Sequence, residues 1–448
     1  MNTTPEHGTW RVERVGVAGR TGVFDLTVED GVIRSVDAVA GEPTGGTLLP
    51  GLVDLHTHLR EPGGEEAETL ASGAAAAAAG GFTDVFAMAN TSPVTDTVAR
   101  VREVRRRAGG LGVRVHPVAA ATAGLAGEAI VDVAALAAAG VTVFSDDGKC
   151  VNDDNLVLEL LTAMARYGTA FAQHAQSAAI VRDGVVNAPV AAGLGVPGWP
   201  GAGEEAVIGR DLALAAATGG RLHICHVSTA GSVALVRAAK REGLSVTAEV
   251  TPHHLMLTDT QAAERGPALK VNPPLRSATD VAAVRAALRD GTIDVVATDH
   301  APHPARTKTC SWLSAAFGLT SLETALPVVA EVFADPATGA VDWTAVARVM
   351  STAPAAIGRI ADLAGRPVAV GEPATFCVVR PQAWRAEPAT WLSRSANSPF
   401  HGRDFAHRVT LTVLEGRHTH GSLTPHPATP MSPPRRSSPL AEPPSSPR

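Results

Sequence analysis

One pattern repeats along the chain from about residue 50 onward, and this repeat restricts the fold more than any other feature. A run of β-branched and apolar residues ends in polar residues, and a segment rich in Ala, Leu and Val follows and closes with Gly. We count eight such units. Their strand-like runs are residues 52–60, 82–91, 113–122, 141–148, 169–176, 221–229, 245–254 and 293–303.

Eight alternating strands and helices are typical of a (β/α)8 TIM barrel, an α/β fold whose strands direct their carboxyl ends to one face. Helical segments fill the gaps at residues 68–81, 155–168, 232–243 and 281–291. An open doubly wound sheet is the alternative, but the sequence has no glycine-rich turn of the kind that anchors a nucleotide. We therefore expect the polar strand ends to converge in space.

The two flanks of the repeat have a different character. Residues 1–49 and 364–420 contain short β-type runs and turns, which predicts one small β domain built from both chain ends. The barrel domain would then span residues 50–363. Residues 421–448 are rich in Pro and Ser with little apolar content, which predicts a disordered tail.

Composition argues against several classes of protein. A net charge of -6 and an aromatic content of 4% disfavour a nucleic-acid groove. The four cysteines are far apart and form no C-x-x-C pair, which argues against a zinc knuckle or a disulfide framework. The first residues lack the apolar core of a signal peptide, and no run approaches the roughly 20 apolar residues of a membrane span. We expect a cytoplasmic protein with a small polar substrate and no nucleic-acid or membrane partner.

Histidine and aspartate residues close several of the predicted strands. His56 and His58 are two residues apart, so both imidazoles project from one face of their strand. His174, His226 and Asp299 each close a different strand. Imidazole nitrogen and carboxylate oxygen suit Zn²⁺ or a similar divalent ion. Because five ligands exceed the need of one tetrahedral ion, we expect two ions about 3.5–4 Å apart.

A pair of ions also needs a bridging anion, and the segment FSDDGKC at residues 144–150 can supply one. It closes the fourth predicted strand with two adjacent carboxylates and a lysine. Asp146 and Asp147 are both candidates, because one residue of strand register would exchange their directions.

Other conspicuous residues are expected to have structural roles. His253 and His254 end a predicted strand, but the metal ligands are already supplied, so we expect structural hydrogen bonding. His223 is expected on the opposite face of its strand from His226. Cys225 is expected to be a buried, inert thiol.

A set of motifs occurs in a fixed order: PGLVDLHTHLREPG, MANTSP, FSDDG, HVSTAGS, VTAEVTPHHL, KVNPPLR, TDHAPH and SLETALP. Over residues 50–415 the chain resembles the dihydroorotases, specifically the bacterial type I branch of the cyclic amidohydrolase superfamily. The resemblance implies a distorted (β/α)8 barrel with a small flanking β domain. It also implies reversible, zinc-dependent hydrolysis of (S)-dihydroorotate to N-carbamoyl-L-aspartate in de novo pyrimidine (UMP) biosynthesis.

The resemblance implies a role for each metal ligand. The implied ligands are His56, His58, Asp147, His174, His226 and Asp299. Two zinc ions per chain would be bridged by Asp147 and a hydroxide, and Asp299 would act as general base and acid. Asp146 stays the nearest alternative bridge. Related hydantoinases use a carboxylated lysine, but Lys149 lies beyond the Gly148 turn.

The resemblance also implies a substrate-binding set. Its members are His58, Arg60, Asn90, Asn272, His303, Phe317 and Gly318. The planar guanidinium of Arg60 suits the carboxylate of dihydroorotate, because the two groups can pair through two parallel hydrogen bonds. Phe317 and Gly318 would contribute main-chain groups. We also expect a homo-oligomer, with aspartate carbamoyltransferase as a candidate partner.

Three features depart from the family pattern, one of which is the ending HTHGSLTPHP at residues 418–427. The loop after His303 has fewer acidic residues than expected, and Ser321 stands where glycine is usual. One alternative is a hydantoinase or allantoinase with the same metal site, but Arg60, Asn90 and an aspartate bridge favour dihydroorotase. The other is an inactive homologue that serves as a scaffold for aspartate carbamoyltransferase, which should have lost metal ligands.

Overall fold

The computed structural model describes residues 8–422. The strands, in chain order, are β1 (Thr9–Val17), β2 (Arg20–Glu29), β3 (Val32–Val39), β4 (Thr47–Pro50), β5 (Leu52–Thr57), β6 (Phe82–Ala87), β7 (Arg114–Pro117), β8 (Val143–Phe144), β9 (Ala170–Gln173), β10 (Val186–Asn187), β11 (Gly198–Trp199), β12 (Arg221–Ile224), β13 (Val246–Val250), β14 (Val295–Val296), β15 (Phe376–Arg385), β16 (Asp404–Leu414) and β17 (Arg417–His420). The predicted disordered tail lies outside the described residues, except for residues 421 and 422.

Eight of these strands form a closed parallel barrel. Parallel pairing joins β5 to β6 and β7, and it joins β8 through β9, β12 and β13 to β14. Two single bridges complete the ring: Ala119 with Phe144 joins the end of β7 to β8, and Thr57 with His300 joins β5 to the end of β14. All eight predicted strands are present, although each is shorter than its predicted run. The predicted fold class is confirmed.

Helices cover the outside of the barrel. They are α1 (Leu70–Ala79), α2 (Val98–Ala108), α3 (Val133–Ala138), α4 (Asp154–Tyr167), α5 (Ala178–Val181), α6 (Ala188–Leu194), α7 (Ala202–Thr218), α8 (Ala230–Arg241), α9 (Pro252–Met256), α10 (Asp259–Arg265), α11 (Ala278–Asp290), α12 (Ala325–Val332), α13 (Trp343–Ala347) and α14 (Ala353–Ile357). Short 3-10 turns lie at Ala123–Leu125, Gly266–Leu269, Ala305–Thr307, Leu322–Thr324 and Pro388–Thr390, and a π-helical turn lies at Arg348–Thr352.

Local sequence explains where the longer helices begin and end. The side chains of Thr69, Thr229 and Ser277 accept a hydrogen bond from the N–H three residues further on and so cap α1, α8 and α11. Gly168 and Gly291 end α4 and α11 in the left-handed conformation, which glycine adopts without steric cost. In the part of the chain that the structure covers, no helix combines the length and apolar character needed to cross a membrane.

Two apolar layers hold the barrel together. Inside the ring, buried residues such as Val53, Phe86 and Val295 pack against one another. Outside it, alternate strand residues such as Leu222 pack against helix residues such as Leu160. Because both faces of each strand are buried, the strands have the apolar character that their sequences showed.

The flanking sheet is built from both ends of the chain. Its strand order is β17-β16-β15-β4-β1-β2-β3, and its pairs are antiparallel except for β1 with β4. Its own core includes Leu26, Leu48, Phe376 and Val413, which are buried. The division at residues 49/50 and 363/364 stays a prediction.

The strand predicted at residues 245–254 extends too far towards its carboxyl end. β13 stops at Val250, and His253 and His254 lie on the short helix α9. The cause is local: the Thr251 hydroxyl accepts from the His254 N–H at 3.2 Å, and Pro252 at the first helical position favours helix initiation. The sequence analysis also missed the two-residue strands β10 and β11 around α6.

Asp54 holds the barrel closed, and its removal should destabilise the protein. Its carboxylate accepts from the Thr298 N–H at 2.8 Å and from the hydroxyls of Thr298 and Thr57, each at 2.5 Å. We expect Asp54→Ala to lower the free energy of unfolding by about 3 kcal/mol, because three buried donors lose their acceptor. Urea unfolding followed by circular dichroism measures this. Asp37→Ala is the control, since Asp37 is exposed in the flanking sheet, and equal losses in both variants would contradict the prediction.

Candidate metal centre

The backbone turns sharply where three predicted site residues lie. Arg60, His226 and Asp299 have φ angles of 60°, 34° and 44°, in the left-handed region that non-glycine residues rarely adopt. Such conformations carry an energetic cost and cluster at functional sites in proteins. Each of these residues lies just after the end of a barrel strand, so the turns redirect side chains at the barrel mouth.

Asp147 lies at the centre of four histidines. Its Oδ1 atom is 3.3 Å from His56 Nε2, 3.2 Å from His174 Nδ1 and 3.4 Å from His226 Nε2. Its Oδ2 atom is 3.2 Å from His58 Nε2. The two oxygens of one carboxylate therefore face imidazoles from three different strand ends, which is the arrangement that a bridging ligand requires.

Asp299 completes the cluster. Its Oδ1 atom lies 3.2 Å from His58 Nε2 and 3.6 Å from His56 Nε2. The ligand atoms of His56, His58 and Asp299 lie within 4.8 Å of one another, and so do those of His56, Asp147 and His226. The structure thus brings together all six predicted metal ligands, from five strand ends of the barrel.

Asp146 and Lys149, the other two charged residues of the FSDDGKC segment, have their side chains outside the metal-ligand cluster. The Asp146 carboxylate accepts from the N–H groups of Ala121 and Thr122 at 2.8 and 2.9 Å. Lys149 is exposed, and its Nζ donates to the carbonyl of Leu125 at 2.9 Å. Neither residue is in the cluster, so the geometry leaves Asp147 as the candidate bridge.

Three oxygen acceptors fix the orientation of the histidine rings. His56 Nδ1 lies 2.7 Å from Glu249 Oε1, His58 Nδ1 lies 2.9 Å from Asn90 Oδ1, and His174 Nε2 lies 2.9 Å from Gln176 Oε1. When one ring nitrogen donates to oxygen, the other presents its lone pair, which is how metal-binding histidines are commonly held. Sequence reasoning missed Glu249 and Gln176.

Glu249 is the centre of a second layer beneath the cluster. Its Oε2 atom lies 3.0 Å from His223 Nε2, and its Oε1 atom accepts from the His226 N–H at 3.3 Å. The expectation that His223 and His226 face opposite sides is wrong, because the positive φ at His226 breaks the strand alternation. Glu249 with His56 and Cys225 forms a third group able to hold a metal ion. A carboxylate within the apolar strand β13 was the available signal.

Burial and charge set the protonation of the cluster. Burial by itself lowers the pKa of His56, but the Asp147 and Glu249 carboxylates outweigh it and raise that pKa well above its usual value. Burial by itself raises the pKa of Asp147, but the His56 charge and hydrogen bonds from His174 and His226 hold that pKa well below its usual range. Imidazole protons thus balance the carboxylates, and a divalent cation displaces such protons when it binds.

The donor set suits a metal ion. His56 Nε2 is buried and has no hydrogen-bond partner among the described residues, although it faces two carboxylates. Buried polar atoms are normally paired, so an orphaned nitrogen in such surroundings points to a cation as the missing partner. Imidazoles and carboxylates together are typical ligands of zinc. The cluster can therefore hold metal.

One wall of the barrel mouth carries the predicted substrate-binding residues. Arg60 Nε donates to the Pro302 carbonyl at 3.3 Å, and one of its terminal nitrogens lies 3.3 Å from His303 Nε2. His303 Nε2 lies 2.7 Å from the Phe317 carbonyl, which can only accept, so this nitrogen carries the proton. Burial, with the charge of Arg60, lowers the pKa of His303 to about 3, so the ring is neutral.

The remaining predicted substrate residues lie close by. Asn272 Nδ2 donates to Gln176 Oε1 at 2.9 Å, and its Oδ1 atom is buried without a hydrogen-bond partner in the described chain. Gly318 has a φ of 140°, and a Cβ there would lie 2.7 Å from the Cβ of Ala301. Asn90 Nδ2 donates to the Asp147 carbonyl at 3.3 Å, so its amide faces the metal ligands as well.

The two histidines on α9 differ from each other. His254 Nδ1 lies 2.8 Å from the Thr251 hydroxyl, and its Nε2 donates to the Pro273 carbonyl at 3.0 Å. Structural hydrogen bonding is confirmed for His254. It is wrong for His253, whose ring nitrogens are both buried without a partner in residues 8–422. Burial lowers the pKa of His253 to about 4, which keeps this ring neutral.

Comparison with known proteins gives consistent results. Residues 45–232 match the family model described as dihydro-orotase-like. A dihydroorotase from Streptomyces coelicolor is 51% identical over 413 residues, which are 90% of this chain and 96% of the relative. A dihydroorotase from Mycobacterium tuberculosis is 47% identical over 408 residues, 88% of this chain and 94% of the relative.

Solved structures agree on the fold. The L-hydantoinase (dihydropyrimidinase) from Arthrobacter aurescens superposes with a TM-score of 0.80 at 24% identity, over 92% of this chain and 96% of that one. At this identity the likeness concerns the fold alone. The dihydroorotase relatives are about twice as similar in sequence and match nearly their whole length. The chain belongs to the dihydroorotase family.

Proposed function

We propose that the protein is a zinc-dependent dihydroorotase, which reversibly hydrolyses the cyclic amide of (S)-dihydroorotate to N-carbamoyl-L-aspartate in de novo pyrimidine biosynthesis. Relatives of that name, similar over almost the whole chain, support this function. One structural observation also supports dihydroorotate as the substrate. A cationic side chain without an anionic partner lies beside the cluster of metal ligands.

Arg60 is that side chain. It is partly buried, and no carboxylate within residues 8–422 forms an ion pair with it. An unpaired guanidinium at a partly dry site costs free energy, which a bound anion recovers. Dihydroorotate carries a carboxylate on its ring, whereas most hydantoins do not. Arg60 therefore favours dihydroorotate over an uncharged cyclic amide.

The metal ligands proposed from the sequence are the residues that would hold two zinc ions. His56 and His58 would bind one ion with Asp299, His174 and His226 would bind the other, and Asp147 would contact both. Bound zinc supplies Lewis acidity, which lowers the pKa of water towards neutrality and polarises the amide carbonyl of the substrate.

Asp299 is the proposed proton carrier. Burial by itself raises the pKa of a carboxyl group, but the hydrogen bond to His58 and the charge of His56 lower that of Asp299 to about 2. It is therefore a carboxylate at neutral pH and can accept a proton from attacking water. Passing that proton to the ring nitrogen lets this nitrogen leave the acyl carbon as the NH2 of the carbamoyl group. The reverse transfer would serve ring closure.

The substrate wall would orient the ring. Arg60 offers donors to the substrate carboxylate, the neutral ring of His303 lies beside Arg60, and the unpartnered Oδ1 of Asn272 offers an acceptor to a ring N–H. Main-chain groups of Phe317 and Gly318 line the same wall. Holding the ring in one orientation converts binding energy into a closer approach of the reacting atoms.

Two rival functions make different predictions about these residues. A hydantoinase or allantoinase would share the metal ligands, but its usual substrate has no carboxylate to pair with an unpaired arginine. An inactive scaffold should have lost ligands, whereas this chain retains all six in one cluster. The family resemblance also supports a homo-oligomer, contact with aspartate carbamoyltransferase and a location in the cytoplasm as further proposals.

The metal site can be tested with two variants of one segment. We expect close to two zinc ions per wild-type chain, and Asp147→Ala should lose at least one of them because its carboxylate faces four imidazoles. Metal analysis by mass spectrometry measures the content. Lys149→Ala is the matched control and should keep both ions, since Lys149 donates to the Leu125 carbonyl and contacts no metal ligand within residues 8–422. Active wild-type protein without metal would refute the site.

The role of Arg60 can be tested separately from the metals. Arg60→Met keeps an unbranched side chain but removes the guanidinium and its charge, so kcat/KM for dihydroorotate should fall on the order of 100- to 1000-fold. Metal content should stay at the wild-type value. Arg34→Met is the control, because Arg34 is exposed in the flanking sheet and pairs with Glu29. Normal kinetics in Arg60→Met would remove this residue from the substrate wall.

A substrate panel decides among the functions. Purified protein should open the ring of dihydroorotate, with loss of its ultraviolet absorbance, at a kcat/KM well above that for hydantoin or allantoin. The physical reason is the carboxylate that only dihydroorotate offers to Arg60. Preference for hydantoin or allantoin would favour the first rival, and no turnover of any cyclic amide by zinc-loaded protein would favour the inactive scaffold.

A further inference from the structure

One connection between two strands of the flanking sheet reaches the mouth of the barrel. Residues 386–403 link β15 to β16, and hydrogen bonds between Ala386 and residues 402 and 403 close the base of this connection. Ala386 and Phe400 are buried in an apolar cluster with Leu275 and Leu319 of the barrel. Between these anchors, the Ser395 hydroxyl donates to the carbonyl of residue 67 at 2.7 Å. The connection is therefore fixed against the barrel along its length.

Asn397 lies in the middle of this connection and contacts the substrate wall. Its Oδ1 atom accepts from the His303 N–H at 3.0 Å. Its Nδ2 atom donates to the carbonyls of Ala301 and Gly318 at 3.0 and 3.1 Å. The orientation of the amide follows from these partners, because an N–H can only donate and a carbonyl can only accept. One side chain thus ties together two backbone segments that carry predicted substrate-binding residues.

The two segments are also joined by the contact of His303 Nε2 with the Phe317 carbonyl at 2.7 Å and by the pairing of His300 with Leu319. Ala301 N–H donates to the Leu319 carbonyl at 2.8 Å, but within residues 8–422 the Ala301 carbonyl and the His303 N–H have no partner except Asn397. The Gly318 carbonyl also accepts from Lys308 Nζ at 3.0 Å. The carbonyls of Ala301 and Gly318 both face one amide nitrogen, and their dipoles would repel each other without it.

The backbone that Asn397 holds is tightly confined. A Cβ at Gly318 would lie 2.9 Å from the Ala301 carbonyl oxygen and 2.9 Å from the His303 ring. The main chain of Gly318 therefore passes directly against His303, and a shift of either segment would move both the imidazole and the main-chain groups of the wall. Sub-ångström to ångström displacements of this kind are enough to weaken substrate binding.

We propose that Asn397 is a positioning residue for substrate binding, through which the flanking β domain sets the geometry of His303 and Gly318. This inference rests on the proposed dihydroorotase function for the identity of the substrate. It assigns no chemical step to Asn397 itself. The flanking domain thus contributes to the site through one amide group.

Two variants separate this role from simple packing. Asn397→Ala removes all three side-chain hydrogen bonds, and Asn397→Asp keeps the volume and the acceptor for His303 but turns a carboxylate oxygen towards the two carbonyls. In both, the KM for dihydroorotate should rise about 10- to 100-fold, with a smaller change in kcat. The Kd of orotate, an unreactive ring with the same carboxylate, should rise to a similar extent in calorimetry. Zinc content should stay at the wild-type value, since Asn397 contacts no metal ligand.

Ser398→Ala is the matched control. The Ser398 hydroxyl accepts from the Phe400 N–H at 3.2 Å, and this variant should keep wild-type KM and Kd. A wild-type KM for the substrate and a wild-type Kd for orotate in either Asn397 variant would overturn the inference. Unfolding of both variants would also overturn it, because Asn397 would then be needed for folding and not for positioning the substrate. If the wild-type protein hydrolyses another cyclic amide instead of dihydroorotate, the proposed function fails. The role of Asn397 is then decided by the same comparison of KM values, made with that other substrate.

Discussion

Closure of the barrel is the constraint on which the site depends. The ring of eight strands is completed where Thr57 pairs with His300, and the buried Asp54 carboxylate binds Thr298 across the same seam. Because the first and last strands meet there, His58 and Asp299 become neighbours although 241 residues separate them. A barrel left open at this seam would separate His56 and His58 from Asp299.

The closed mouth concentrates charge in two places. Asp147, Asp299 and Glu249 are buried carboxylates that the histidines balance, and a divalent cation would balance them better because it can contact several oxygens and nitrogens at once. Beside the cluster, Arg60 is a cation that forms no ion pair with a carboxylate of the described residues, and His303 next to it is neutral. The first place suits metal and the second suits an anionic substrate.

The flanking sheet also contributes to the geometry of the substrate wall. Its two halves come from opposite ends of the chain, so it joins the termini around the barrel. Its connection between β15 and β16 reaches the substrate wall and places Asn397 between His303 and Gly318. The site therefore has three supports: the strand ends, the second layer around Glu249, and this connection.

The sequence by itself determined the number and order of the barrel strands and which of them end in His56, His58, His174, His226 and Asp299, because period and residue type are local properties. It favoured Asp147 over Asp146 only through the family resemblance, placed His253 and His254 on a strand, and gave no sign of Asn397 or Gln176. The tertiary structure decided these points. Only the folded backbone shows that Asp146 binds the Ala121 and Thr122 N–H groups, and that His226, with its positive φ, has its ring beside Asp147 and His174. Such choices depend on dihedral angles and on partners distant in sequence, which strand periodicity does not record.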